Sequence, residues 1–419
     1  MIKRLLAIAF IFLCTSAAWG VLGGTLFART YGSDDGLRSK VESIWGTRQE
    51  QHPPTATYAV ERQRVEQSVV DGAAVSRSVS SWETHSLPLV ASDVTAKLSL
   101  DHRQKGLLWY ATYVADLKAS YRFQNDSGEA RLLRVALPFP AQDSRYDGFR
   151  FEPRGGAWTQ RTEARNGRVE GQVWVKAGEA VTIDVAYRAP GLDEWRYLFT
   201  QPDAEGDRTY GVSEVRDFKL AVETDVADVD FPADAISPTA KERTDGGWRL
   251  TWRYENLLSG AGVGVLMPQK LQPGPLAGKI SFFAPVSLFF YIVVMLVLSV
   301  VRRVPLHPMH FFFVSAAFFA FHLLLAYLVD QVSIHAAFAV ASVVSVALVT
   351  SYLRVVAGAR FAFLPAAGAQ LVYLVAFSYA FFFKGLTGLA VTIGAVVTLF
   401  VLMQMTARID WAEVFGKKA

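Results

Sequence analysis

The side chains best equipped for chemistry are scattered through this 419-residue chain. His52, His85 and His102 stand singly, far apart in sequence, so a metal or triad site would require the fold to gather them. Lone histidines more often cap an element or face solvent. Asp34-Asp35 and Asp193-Glu194 are adjacent acids in expected turns, and they read as hydrated carboxylates in preference to a divalent-cation site. Ser259-Gly260-Ala261-Gly262-Val263-Gly264 is followed by no Lys, so it marks a loop or a close approach of backbones and not a phosphate cradle. There is no His pair at i and i+4 with an intervening Glu, no Cys pair and no Gly-x-Ser-x-Gly elbow. The expectation is a protein that is not an enzyme and has no catalytic residue, cofactor or metal.

His322, Gln370, Tyr373 and Gln404 draw notice because each lies inside a long apolar stretch. Those stretches are Ile280–Val301, Met309–Val329, Ile334–Val356, Phe361–Phe383 and Leu386–Met405. Each approaches the ~20 residues that a helix needs to cross a ~30 Å hydrocarbon core. Within lipid the backbone must satisfy its own polar groups, which leaves the α-helix as the workable conformation. His322 and Gln370 then have two readings: an interhelical hydrogen bond worth ~0.6 kcal/mol on average, or a polar path or ligand site. No span carries an acid at its middle, which argues against a proton-driven carrier or an intramembrane metalloprotease. Nor do the spans divide into matched halves, as an inverted-repeat transporter requires.

A further apolar run, Leu5–Phe27, stands alone near the N-terminus. Its Lys3-Arg4 start and small residues Ala18 and Gly20 also fit a cleavable signal, but apolar character continues through Val21, Leu22, Leu26 and Phe27, which favours a retained anchor. With Lys3 and Arg4 inside, Arg302, Arg303, Arg354, Arg360, Arg408, Lys417 and Lys418 also fall on the cytoplasmic side, and the other gaps hold Asp330 and Lys384. Both termini are therefore expected in the cytoplasm. The layout is residues 1–4 inside, helix 5–27, an exported domain 28–267, a linker 268–279, a five-helix bundle 280–405 and an inside tail 406–419.

Composition follows this division. Residues 28–279 hold 32 of the 42 Lys and Arg and 35 of the 38 Asp and Glu, so this middle segment is water-soluble and slightly acidic. The overall pI near 9.0 then reflects topogenic charge and points to no nucleic-acid partner. Cys14 is the only cysteine, so no intramolecular disulfide is possible and an apolar core must hold the exported domain. Leu13, where a small residue would be needed, speaks against lipidation at Cys14.

The exported domain reads as mainly β. Val114–Phe123 and Val181–Tyr187 approach two-residue alternation, and Asp217–Val226 and Trp248–Tyr254 repeat it. Turn signals intervene at Asn125-Asp126-Ser127-Gly128, Gly155-Gly156, Asn166-Gly167, Pro190-Gly191 and Asp245-Gly246-Gly247. Sandwich-like sheets are expected. An exception is Asp34–Trp45, whose Leu37, Val41, Ile44 and Trp45 fall on one side of a short helix.

Leu306-His307-Pro308-Met309 opens the second C-terminal span, with Pro308 suited to a first helical turn and His307 to capping it. This run resembles the Leu-His-Pro-x-Gln-Tyr-x-Leu-Val-Gly pattern of the CreD family of bacterial inner-membrane proteins, although the Gln, Tyr and final Gly are replaced here. Ile409-Asp410-Trp411 is similar to the family's Ile-Asp-Trp end. Trp45, Gly46, Gln49 and Pro54 resemble its Trp-Gly-x-x-Gln…Gly-Pro segment, with Pro53 at the Gly position. The fold class is thus a membrane α-helical bundle, one N-terminal plus five C-terminal helices, with a large mainly-β periplasmic domain. The resemblance implies a Gram-negative inner-membrane protein tied to cell envelope integrity and, in some species, to a two-component stress response affecting colicin and β-lactam susceptibility. Its expected partners are the lipid bilayer and an envelope protein or glycan. The alternative is a transporter or channel for a lipid or small molecule, using His322, Gln370 and Gln404.

Overall fold

The computed structural model describes residues 2–31, 34–70, 73–141, 144–200, 213–383 and 385–407. Two compact units emerge, a helical one of Met1–Leu37, Gln104–Trp109 and Leu271–Ala419, and a β-rich one of Arg38–Arg103 and Tyr110–Lys270. The helices are α1 (Ile2–Tyr31), α2 (Asp34–Trp45), α3 (Pro273–Val301), α4 (Pro308–Leu328), α5 (Ile334–Ala357), α6 (Ala359–Phe382) and α7 (Thr387–Thr406). Among the described residues all but α2 are long and apolar enough to cross a membrane, one near the N-terminus and five toward the C-terminus.

Local chemistry sets the helix ends. Pro273 occupies the first turn of α3, where its missing N–H costs nothing, so helix begins inside the expected linker 268–279 and leaves only a short non-helical connection. At α4 His307 is the N-cap, its Nδ1 accepting from the Met309 N–H at 3.3 Å, and Pro308 follows it. Ser333 caps α5, and Gly358 at φ 86° ends it. Helix α6 is irregular, with widened π-turns over Ala362–Ala366 and Leu371–Ala376 and a tight final turn at Ala380–Phe382. Pro365, which cannot donate to the preceding turn, lies in the first of them. Phe10, Val21, Val343, Phe363, Val396 and Phe400 point outward, an apolar exterior suited to lipid. Helix α1 packs within this unit: Trp19 is fully buried and meets Phe319 edge-on at 5.4 Å, and Phe12 meets Phe289 at 6.0 Å.

In the β-rich unit the largest sheet has seven strands, in the order β13 (Ala240–Arg243), β14 (Trp248–Ser259), β12 (Ser213–Thr224), β4 (Leu89–Lys105), β5 (Leu108–Gln124), β10 (Ala180–Leu192) and β7 (Asp147–Pro153). A five-stranded sheet runs β3 (Ala73–Leu87), β2 (Thr55–Val70), β6 (Arg131–Pro138), β9 (Arg168–Val175) and β8 (Gln160–Arg161). A small third sheet joins β1 (Gln49–Gln51), β11 (Glu194–Tyr197) and β15 (Val263–Leu266).

Alternation drives the packing. Leu117, Tyr121 and Phe123 on β5 and Ile183, Val185 and Tyr187 on β10 share one apolar core with Leu133, Val135 and Val169 from the five-stranded sheet. Each fully buried aliphatic chain contributes about 1.5–3 kcal/mol, which is how a unit without disulfides stays folded. The expected turn at Pro190-Gly191 is instead inside β10. A Cβ at Gly191 would sit 2.3 Å from the Tyr113 ring, so glycine here answers a close approach and not a reversal of the chain. In α2 Val41 is buried, but Ile44 is largely exposed, contrary to the expected apolar side.

Asn125 closes two turns at once. Its buried amide donates to the Glu129, Val175 and Lys176 carbonyls at 2.9, 2.9 and 3.0 Å and accepts from Ser127. Asn125→Ala strands those carbonyls, and the expected loss is about 3 kcal/mol. Urea unfolding of the detergent-solubilised protein, followed by tryptophan fluorescence, measures it; an unchanged midpoint refutes this role.

Candidate functional site

The motif residues near the start of the β-rich unit build a latch. Trp45 ends α2 beneath the Arg103 guanidinium, 4.2 Å from its ring centre. Gly46 turns the chain at φ 88°, and a Cβ there would lie 2.4 Å from the Pro190 carbonyl oxygen, so only glycine fits. That same carbonyl accepts from Gln49 Nε2 at 2.7 Å. Strand β1 then pairs in parallel with β11, and Leu192 N–H donates to Thr47 O. Gln51 accepts the Tyr187 hydroxyl through Oε1 at 2.5 Å.

Beside the latch lies a charge cluster around one buried acid. Glu194, nearly inaccessible, is held by Arg48 at 3.3 Å and by Arg196, which also grips Asp234 through two bonds of 2.8 Å. Asp193 adopts φ 63° and accepts from Arg38 and Gln269, each at 2.8 Å. The reading of Asp193-Glu194 as hydrated turn carboxylates is therefore corrected: an acid placed next to a core strand must be paired, and this one is. Buried near it, Tyr113 donates to the Glu194 carbonyl at 2.7 Å, and desolvation drives its pKa well up.

From the latch the chain passes through His52 into Pro53 and Pro54, which form one wall of an apolar cleft of about 280 Å³. Leu87, Phe123, Tyr197, Phe199 and Phe218 supply most of the remainder, and the Glu214–Arg216 pair borders it. Of the motif positions, Trp45, Gly46 and Gln49 fasten the segment and Pro54 faces the space it defines. Another concavity, on the outer face of the seven-stranded sheet, is occupied by its own ion pair, Arg154 with Asp184, and by Ser120. Bonds from Arg154 hold the Asp184 carboxyl below the usual range.

The other histidines remain apart. His85 stacks on Tyr58 at 5.4 Å, and the His102 ring bonds the Pro268 carbonyl at 2.8 Å. Among the described residues no three His, Cys, Asp or Glu side chains converge as a metal site. Gly262 and Gly264 of the Gly-rich stretch lie against the Tyr197 and Trp195 carbonyls, a tight approach of strands.

The intramembrane candidates divide into separate groups. His322, fully buried, bonds the Phe318 carbonyl through Nδ1 at 3.0 Å and lies edge-on to Trp19 and Phe321. Gln370, also buried, donates to Ser345 Oγ at 3.0 Å, and Ser345 donates to Ala317 O at 2.7 Å, linking α6, α5 and α4. Tyr373 donates to Thr398 Oγ1 at 2.8 Å, and its carbonyl accepts from Ser287. Gln404 is exposed on α7, so the structure does not bring it together with His322 and Gln370. Of the C-terminal motif, Leu306 is buried and Met309 exposed. Ile409, Asp410 and Trp411 lie outside the described residues, as do Lys384 and Arg408.

One pair escaped the sequence reading: Arg29 at the end of α1 meets Asp330 after α4 at 2.5 Å. Loop counting places both on the same side of the membrane, which was the signal available.

Two outcomes follow. His52 bonds the Thr200 carbonyl through Nδ1 at 2.5 Å, and burial lowers its pKa from the ordinary 6.5. The unfolded chain therefore binds a proton first as pH falls, so His52's contribution is complete above about pH 6.5 and is lost progressively below it. His52→Gln should flatten the dependence of the urea midpoint between about pH 7.5 and about pH 5. For His322, Nε2 has no hydrogen-bond partner among the described residues, so His322→Phe should shift detergent thermal stability by no more than about 1 kcal/mol. A larger loss in differential scanning fluorimetry would show that Nε2 is engaged.

No curated protein matches the chain. Among solved structures, a crystal structure from Legionella pneumophila subsp. pneumophila str. Philadelphia 1, provisionally described as a nutrient binding protein, aligns at 11% identity. It covers 49% of this chain and 74% of its own, with a TM-score of 0.28, a superposition too loose to define a shared fold. Residues 280–412 match the family model described as Inner membrane protein CreD, the family read from the Leu306-His307-Pro308 run, and the six long apolar helices agree with a multi-pass inner-membrane protein of that type.

Proposed function

We propose that this protein contributes to envelope integrity by binding an envelope component through its β-rich unit, with the helices anchoring or coupling that event. The observation that carries the reading is the apolar cleft at Pro53-Pro54, set in place by the motif latch rather than by a loop end. Such a space suits recognition, since among the described residues its lining is mainly apolar and its one acid, Glu214, is paired with Arg216. The distribution of Lys3, Arg4, Arg302, Arg303, Arg354 and Arg360 supports a periplasmic β-rich unit and a cytoplasmic N-terminus. Trp19, buried against α4, supports α1 as a retained helix, because cleavage would open the bundle core.

A photoreactive amino acid at Leu89, on the cleft wall, is expected to trap one discrete partner in living cells. The same probe at Lys97, exposed on β4 away from the cleft, should trap none. Protease added to spheroplasts should degrade residues 100–250. Failure to trap a partner, with unchanged detergent sensitivity of a deletion strain, rejects the function; protection from protease rejects the orientation.

A further inference from the structure

The outer face of the five-stranded sheet carries two exposed indoles, Trp174 on β9 and Trp82 on β3, accessible by 61% and 68%. Register places them on one face. Leu132 pairs with Trp174, Arg134 with Gln172 and Thr57 with Arg134; Thr57 pairs with Ser86 on the other side, and Glu61 with Trp82. Side chains two residues apart on a strand share a face, so Trp174, Gln172, Arg134, Thr57, Ser86 and Trp82 all point the same way. It is the outward way, because Ala56, Leu87, Leu133 and Val135, of opposite parity, are in the core.

Gln160 pairs with Gln172, so Gln160, Gln172, Arg134, Thr57 and Ser86 form one polar row across all five strands. Both tryptophans lie on the same side of that row, near its opposite ends. Three strand spacings of ~4.8 Å separate β9 from β3, and Trp82 is displaced by about two further residues along its strand, so the indoles are about 16 Å apart.

We propose that this face binds a glycan strand, laid across the β-strands with sugar rings stacked on Trp174 and Trp82 and hydroxyl or amide groups bonded to the row between. A pyranose presents an apolar C–H face and a polar edge, and this surface offers the complement of each: an electron-rich indole face for the first, and amides, hydroxyls and a guanidinium for the second. A protein partner fits less well. Protein hot spots are contiguous apolar centres ringed by polar groups, whereas here the aromatic groups are the ends and the polar groups lie between them. The inference rests on the periplasmic placement of the β-rich unit and makes its partner a carbohydrate, at a surface that adjoins the cleft at Ser86.

Full-length protein in detergent micelles is mixed with insoluble peptidoglycan sacculi and, separately, with soluble N-acetylglucosamine oligomers. Co-sedimentation and quenching of tryptophan fluorescence are the readouts. Wild-type protein should bind, Trp82→Ala and Trp174→Ala should each weaken binding on the order of tenfold, and Trp82→Phe with Trp174→Phe should restore most of it. Leu258→Ala, exposed on the seven-stranded sheet, should bind as wild type. Absence of binding to either probe, or alanine variants that bind normally, overturns the proposal. So does loss of a trapped protein partner in those variants with glycan binding intact. The broader function is scored separately by trapping at Leu89: a partner trapped there with no glycan bound removes this inference alone.

Discussion

In hydrocarbon a peptide N–H or C=O without a partner finds no water to replace it, and that constraint governs how this chain is divided. Every long apolar run must be helical from one side to the other, and every sheet must lie elsewhere. The charges obey the same rule, with most of the Lys, Arg, Asp and Glu confined to the middle segment. Helix α6 shows how far the rule bends. Pro365 removes one donor, and widened turns on either side of Gln370 keep the segment helical.

The β-rich unit answers a different demand. Without a disulfide it depends on one continuous apolar core shared by its sheets, and on polar side chains that tie turns to strands. Asn125, Gln49 and Tyr113 do this by hydrogen bonds to backbone carbonyls, while Arg48 and Arg196 neutralise Glu194 where water cannot. The conformation of Gly46 and the amide of Gln49 meet at a single carbonyl, that of Pro190, so the positions of the Trp-Gly-x-x-Gln segment are interdependent. The cleft wall at Pro53-Pro54 inherits its position from that junction.

Hydropathy made the spans legible, because a ~20-residue apolar run has one stable conformation in lipid. Alternation likewise marked Val181–Tyr187 and Trp248–Tyr254, which lie within β10 and β14, and the Asp34–Trp45 helix has the expected bounds. What stayed hidden depends on partners remote in sequence. Nothing local distinguishes Glu194 from a hydrated acid until Arg48 and Arg196 are brought to it. Pro190-Gly191 has the composition of a turn, and only the Tyr113 ring explains why it is strand. Gln404 resembles Gln370 in its span, yet helix rotation buries one and exposes the other.

The Arg29–Asp330 pair joins residues 301 positions apart. At about 5–20 residues per second, ribosomal synthesis of that interval takes roughly 15–60 s. Arg29 and Trp19 can gain Asp330 and Phe319 only after that interval, so α1 acquires these contacts late in synthesis.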